Sequence, residues 1–347
     1  MNKHVLCVQS FAQPAFEDAL SSRPDVVLTA IRGDTPDREA AAALGSAHAY
    51  HVSSGVNEVE AKYLASPDLL ARAPALLLVS TMGAGYDTVD VAACTGAGVL
   101  VVNQGGGGNA EAVAEHVLGM MLCLTKRITE SDRRMRREAG IARIDYIGRN
   151  ALRKTIGIIG YGQIGRRLGE LCRAALQMRV LVHDSHRSAE ELAREGVEAT
   201  GLDELLRAAD FVSLCCPLTE ETRGMIGARE FALMQKHAYF VTAARGGIHD
   251  EQALADALRE KRIAGAGIDV WDVEPPTPGH PLLQFDNVIA SPHIGGSTVE
   301  SRVQAAEGAA LQILDAFDGK RPPRLLNPEA WPLYCSRFER MFGFRPN

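Results

Sequence analysis

The chain has 347 residues, 46% hydrophobic and 23% charged, with a formal net charge of -6. That length calls for two domains of ordinary globular composition. The acidic balance leaves no basic footprint for nucleic acid, and no apolar stretch reaches the roughly 18 residues of a membrane span. The seven cysteines are odd in number and show no C-x-x-C spacing, which argues against a disulfide framework and a zinc site. A strand pattern starts within a few residues of Met1, with no apolar leader, so a reducing cytoplasm is the expected location.

In chain order, residues 5–8, 26–31 and 75–80 are predicted strands, and residues 37–44 and 56–70 predicted helices. Strands alternating with helices imply a parallel sheet, because each parallel crossover needs a connecting element. The Gly105-Gly106-Gly107-Gly108 run marks a boundary. A long helical pattern follows it over 111–135. Its apolar Val113, Val117, Met120, Met121 and Leu124 suggest a homodimer face. Lys126, Arg127, Arg133, Arg134, Arg136 and Arg137 are spaced along its end as a solvated or inter-subunit face.

A second series opens at residues 156–159, an apolar strand running into Gly160-Tyr161-Gly162-Gln163-Ile164-Gly165. An amphipathic run follows, then a strand ending at Asp184, about 20 residues past the turn. This is the dinucleotide fingerprint in its strand–turn–helix context. Gly160 permits the turn, Gly162 lets a pyrophosphate approach, and Gly165 lets the helix pack on the strand. The helix N-terminus offers N–H groups to the phosphates. Asp184 suits a ribose and repels a 2′-phosphate, so NAD is expected over NADP. Arg187 is a solvated residue in this reading. Further strands are predicted at 180–183, 211–216, 239–242, 264–268 and 288–290, with Cys215-Cys216 as small core residues closing one of them. Six strands fit a doubly wound sheet. A last helix from about 298 to 317 returns to the first domain, which is then discontinuous. The predicted fold class is α/β, with two doubly wound parallel-sheet domains. Residues 1–105 plus 298–347 form the substrate domain, and 106–297 the Rossmann dinucleotide-binding domain.

Three strand ends carry candidate chemistry. Arg245 follows Val241-Thr242-Ala243-Ala244, and a guanidinium fork matches a carboxylate. Glu274 follows Asp269-Val270-Trp271-Asp272-Val273, and His293 follows Ser291-Pro292. A histidine with a carboxylate partner is an acid/base couple. At the carboxyl ends of strands in one sheet, these residues face the crevice where such folds bind ligands.

With these motifs in order, the chain resembles the D-isomer-specific 2-hydroxyacid dehydrogenases over nearly its whole length. The likeness runs through Thr81 to Asp90, Glu111-Ala112-Val113-Ala114-Glu115-His116, the fingerprint, Cys216-Pro217-Leu218-Thr219, Ala244-Arg245-Gly246, Asp269 to Pro275 and Pro292-His293-Ile294-Gly295-Gly296. It implies that Arg245 holds the substrate carboxylate, His293 is the general acid/base and Glu274 orients it. It also implies that backbone N–H groups at Met82-Gly83 bind the carboxylate, with Asn103 beside the substrate. Asp269 would meet the nicotinamide carboxamide. Cys216, Pro217, Ala243, Ala244, Gly295 and Gly296 would line the cofactor. Asn103-Gln104, after the fourth N-terminal strand, departs from the family's usual Asn-x-Pro-Gly, which bears on substrate identity. The activity implied is hydride transfer between NAD(H) and a small 2-hydroxy or 2-oxo acid with D-stereochemistry, in the glyoxylate/hydroxypyruvate reductase or phosphoglycerate dehydrogenase manner. An NAD-sensing corepressor and a phosphite-type dehydrogenase are the alternatives; Glu274, where formate-oxidising relatives have Gln, argues against formate. The partners expected are the small acid and a second copy of the chain, with no nucleic acid, membrane or metal. The tail over 321–347, with Trp331, Tyr334 and Phe338, fits a disordered end, a packed extension or a lid.

Overall fold

A computed structural model of the chain describes residues 2–8, 13–105 and 109–346. The chain divides into two units, residues 1–109 with 298–347, and residues 110–297. Of the boundary glycine run, residues 106–108 lie outside the described residues.

The first unit is built on strands β1 (Lys3–Val8), β2 (Val26–Ile31), β3 (Ala49–Val52), β4 (Leu78–Thr81) and β5 (Leu100–Val102). They form one sheet in the order β2-β1-β3-β4-β5, with every pairing parallel. Successive side chains of β1 alternate between two cores, as period-2 geometry requires. Val5 and Cys7 pack on one side with helix Val299–Phe317. Leu6 and Val8 pack on the other with Leu44 and Leu69. β3 is not among the predicted strands, and β5 entered only through the family resemblance. Both are short and buried throughout, so they show no polar alternation to read.

The predicted helix over 56–70 is instead two 3-10 turns, Val56–Glu58 and Ala61–Tyr63, and a short helix Pro67–Arg72. Pro67 pushes the preceding residue out of the helical region. Ser66 caps the new helix, its Oγ accepting the Leu69 N–H at 3.4 Å. The tail is a packed extension. Helix Trp331–Phe342 buries Tyr334, Cys335 and Phe338 in the core that holds Ile313 and Phe317. A buried aromatic such as Phe338 contributes about 1.5–3 kcal/mol.

The second unit carries β6 (Thr155–Ile159), β7 (Arg179–His183), β8 (Glu198–Ala199), β9 (Phe211–Leu214), β10 (Tyr239–Thr242), β11 (Gly265–Ile268) and β12 (Val288–Ala290). Their order is β12-β11-β10-β9-β6-β7-β8, again all parallel. The six predicted strands are joined by a two-residue edge strand, β8. Cys215 and Cys216 lie beyond the end of β9 rather than in it. The order reverses between β6 and β9, which places the ligand crevice at the carboxyl ends of those strands.

The helical pattern over 111–135 is two helices, Asn109–Thr125 and Ile128–Met135, broken at Arg127 with φ 53°. Val113, Val117, Met120, Met121 and Leu124 pack into this unit's own core with Ile156, Ile158 and Val180. They therefore do not form an exposed dimer face. The basic run is largely paired locally, Arg127 with Glu130, Arg134 with Glu138 and Arg136 with Asp132. No helix among the described residues is long and apolar enough to cross a membrane.

Candidate active site

The glycine loop is shaped by close approaches. Gly160 has φ +87°, and a Cβ there would stand 2.6 Å from the Cys216 nitrogen. At Gly165 a Cβ would collide with the Gly160 carbonyl. Around Gly162 the space is open, and helix Gln163–Leu176 starts immediately after it. An open approach to a 14-residue helix's N-terminus is what a pyrophosphate requires. Tyr161 is buried, its hydroxyl 2.9 Å from where a Cβ of Gly169 would stand.

Asp184 follows β7 and accepts the N–H of Tyr161 at 2.6 Å and of His186 at 2.8 Å. A carboxylate has about four acceptor sites, so lone pairs remain for ribose hydroxyls. Arg187 is turned onto Glu195 at 2.5 Å, a local ion pair. A cleft of about 820 Å³ opens here, lined among others by Gly162, Gln163, Asp184, Cys216 and Pro217. Burial pushes the Cys216 thiol up to about 11, so it lines the cleft as a neutral group. These residues fit an adenine dinucleotide.

Arg245, Glu274 and His293 stand in loops after β10, β11 and β12. His293 Nδ1 lies 2.8 Å from Glu274 Oε2, with the two side chains 39% and 25% exposed. The hydrogen bond to the Glu274 carboxylate raises the His293 pKa, against burial and the nearby Arg245, which lower it. Burial pushes the Glu274 carboxyl upward, but hydrogen bonds from His293 and the Trp271 N–H outweigh it and leave it below the ordinary range. Trp271 N–H reaches Glu274 Oε1 at 3.0 Å, and Trp271 Nε1 donates to Ser291 O at 2.9 Å. Gly246 holds the Arg245 loop against this one, since a Cβ there would strike the Trp271 carbonyl. Arg245 Nη1 donates to Ala244 O at 2.7 Å. Ala243 and Ala244 are buried beneath the loop.

Asp269 is 1% exposed. Its Oδ1 accepts Ser291 Oγ–H at 2.6 Å and Ile294 N–H at 2.9 Å, and its Oδ2 accepts Gly295 N–H at 2.7 Å. Its carbonyl takes the His293 N–H at 2.7 Å. The carboxylate thus anchors the His293 loop, in addition to any cofactor contact. Gly295 fits closely over it, a Cβ there standing 2.9 Å from Oδ2, and Gly296 continues the loop.

Met82, Gly83 and Asn103 lie in the first unit. The Met82 N–H donates to Val52 O at 3.0 Å, continuing the β3–β4 ladder. It is therefore engaged within the sheet. A Cβ at Gly83 would stand 2.8 Å from Ser54 Oγ. The Asn103 side chain donates to Ala84 O at 2.7 Å and accepts Gly105 N–H at 3.1 Å, so it ties two loops together. Sequence reasoning missed Trp271, Ser291 and His116. Each stood inside a quoted motif, Trp271 within Asp269–Pro275, Ser291 before Pro292-His293 and His116 within Glu111–His116, but with no role attached.

The signature described as "D-isomer specific 2-hydroxyacid dehydrogenase, NAD binding domain" matches residues 118–295. The chain belongs to the D-isomer specific 2-hydroxyacid dehydrogenase family. It is an NAD-dependent oxidoreductase of the 2-hydroxyacid dehydrogenase class. It is 39% identical over 268 residues to a glyoxylate reductase of Aeropyrum pernix, covering 76% of this chain and 79% of that one. It is 36% identical over 285 residues to glyoxylate/hydroxypyruvate reductase B of Salmonella gallinarum, covering 82% and 88%. Among solved structures, D-lactate dehydrogenase from Aquifex aeolicus complexed with NAD and lactic acid superposes with a TM-score of 0.78 at 28% identity, over 93% of this chain and 99% of that one.

Proposed function

We propose that this dehydrogenase reduces a small 2-oxo acid of the glyoxylate or hydroxypyruvate kind with NADH, using Arg245, Glu274 and His293. The observation that carries the reading is the 2.8 Å His293–Glu274 hydrogen bond beside Arg245. NAD(H), when bound, supplies or takes the hydride. Arg245 holds the substrate carboxylate through its fork. With Nδ1 held by Glu274, His293 uses Nε2 to give a proton to the carbonyl oxygen in reduction and take it from the hydroxyl in oxidation. Glu274 stabilises the imidazolium. In the first unit, the carboxylate-binding part of the reading rests on Gly83. Asp184 favours NAD over NADP through its charge. The same reading includes a cytoplasmic homodimer; the described cysteines are all free thiols, as a reducing compartment allows.

The support for small substrates is the naming of the relatives above. A panel of glyoxylate, hydroxypyruvate, pyruvate and bulkier 2-oxo acids, followed by nicotinamide absorbance with NADH and with NADPH, tests it. The expected result is the highest kcat/KM with glyoxylate or hydroxypyruvate and NADH. Turnover confined to bulky acids would contradict the substrate reading.

A further inference from the structure

His116 lies on helix Asn109–Thr125, away from any fingerprint residue in the sequence, within the Glu111–His116 motif that the proposed mechanism does not use. Its Nε2 is 3.0 Å from Ser291 Oγ. That hydroxyl donates to Asp269 Oδ1, so it must accept from His116, and His116 carries its proton on Nε2. The ring also packs on the His293 loop, with Cδ2 3.5 Å from where a Cβ of Gly295 would stand. His293 itself has φ +57°, a left-handed conformation that a non-glycine residue keeps only where surroundings over-determine it. Here those surroundings are one chain of groups. Asp269 takes the N–H groups of His293, Ile294 and Gly295. Ser291 fixes Asp269, and His116 fixes Ser291. The Ser291 carbonyl also accepts Trp271 Nε1–H, and Trp271 N–H holds Glu274. Ser291 therefore joins the supports of both members of the acid/base pair.

We propose that His116, acting through Ser291 and Asp269, is a positioning residue for the general acid His293. It sets the aim of the imidazole without touching substrate. The proposal rests on the assignment of His293 as the acid, and the test separates the two. Four variants are compared with the full-length enzyme in glyoxylate reduction: His293→Ala, Ser291→Ala, His116→Leu and His116→Gln. A misplacement on the order of 1 Å costs up to about 100-fold in rate, and loss of an outer supporting partner costs about 10- to 100-fold in activity in metal sites. Accordingly kcat should fall about 10- to 100-fold in Ser291→Ala and His116→Leu. The dissociation constant for NADH, read by its fluorescence, should stay within about threefold, which is under 1 kcal/mol. The isotope effect on kcat with NADH deuterated at the transferred position should be at least the wild-type value, because chemistry is the slowed step. His116→Gln keeps an N–H donor and should recover most of the rate.

A dead His293→Ala with Ser291→Ala and His116→Leu at wild-type kcat would overturn the positioning role and leave the acid assignment standing. An active His293→Ala would overturn both. A rise in the NADH dissociation constant that matches the loss in rate would make these cofactor-binding residues and overturn the proposal. Where His116→Leu lowers the melting temperature, Ser291→Ala carries the test, since it removes one oxygen only.

Discussion

Asp184 Oδ2 accepts the N–H of Tyr161 at 2.6 Å, so the acidic residue at the end of β7 is tied to the glycine loop that begins at the end of β6. The same carboxylate that would select the cofactor also shapes the loop that would cradle its phosphates. Its hydrogen bonds and its charge are then lost together on mutation. Asp184→Ala should raise the KM for NADH and reduce the NADH-over-NADPH ratio of kcat/KM by about 10- to 100-fold, the equivalent of one or two charge-assisted hydrogen bonds. A wild-type ratio at or below one would remove the basis of the NAD preference.

Arg245→Lys replaces a planar fork with a point charge. The KM for the 2-oxo acid should rise about 10- to 100-fold, as for loss of a charge-assisted hydrogen bond, while NADH binding stays near wild type. Steady-state kinetics with a fluorescence titration of NADH measures both. Collapse of NADH binding would reassign Arg245 to the cofactor.

The homodimer reading moves to a different surface. Ile128 (51%), Met135 (69%), Ile144 (71%) and Ile147 (69%) are exposed large apolar side chains on and beside helix Ile128–Met135, and such patches mark association sites. Sedimentation should give a species of twice 37.3 kDa. Ile144→Asp with Ile147→Asp should shift it to the monomer. A monomer in the wild type at micromolar concentration is the contrary result.

His249 is a stability element with a pH signature. It is 1% exposed, both ring nitrogens lack a hydrogen-bond partner among the described residues, and burial lowers its pKa from 6.5 to about 4. The unfolded chain binds the proton first, so stability is full above about pH 6.5 and falls as pH drops toward about 4. His249→Phe loses no hydrogen bond and cannot charge. Its melting temperature should fall less than that of wild type between those pH values, by thermal melts in matched buffers. Parallel decline in the two proteins would show that His249 titrates alike in the folded and unfolded chains.

Much of this was legible in the residues because glycine and apolar periodicity constrain backbone directly. β6, the glycine turn and β7 could be placed since Gly160 and Gly165 are positions that admit no side chain. β10 and β12 appear at their predicted residues because buried parallel strands read as short apolar runs. β3 escaped notice for the converse reason: four residues ending a helix-rich stretch, with His51 among them, have no distinctive pattern. The break at Arg127 leaves no proline or glycine signal at that position. Arg245, Glu274 and His293 were visible as strand-end polar residues. Their supports were not, because the Ser291–Asp269–His116 chain joins residues up to 175 positions apart. The stripe of Val113, Val117, Met120, Met121 and Leu124 reads as a dimer face in sequence because an apolar helix stripe looks the same whether its own core or another chain covers it.

The most direct test of the central claim is the pH dependence of kcat/KM for glyoxylate reduction in wild type and Glu274→Gln. Glu274 raises the His293 pKa, and reduction needs the protonated imidazole. The acid form therefore persists to higher pH in wild type, and activity is lost as pH rises through that raised pKa. Removing the charge lowers the pKa while the amide still orients the ring. With chemistry rate-limiting, as judged by the deuterium isotope effect, Glu274→Gln should keep partial activity and lose it at lower pH than wild type. An alkaline limb that is unchanged or displaced to higher pH would contradict the His293–Glu274 acid/base pair.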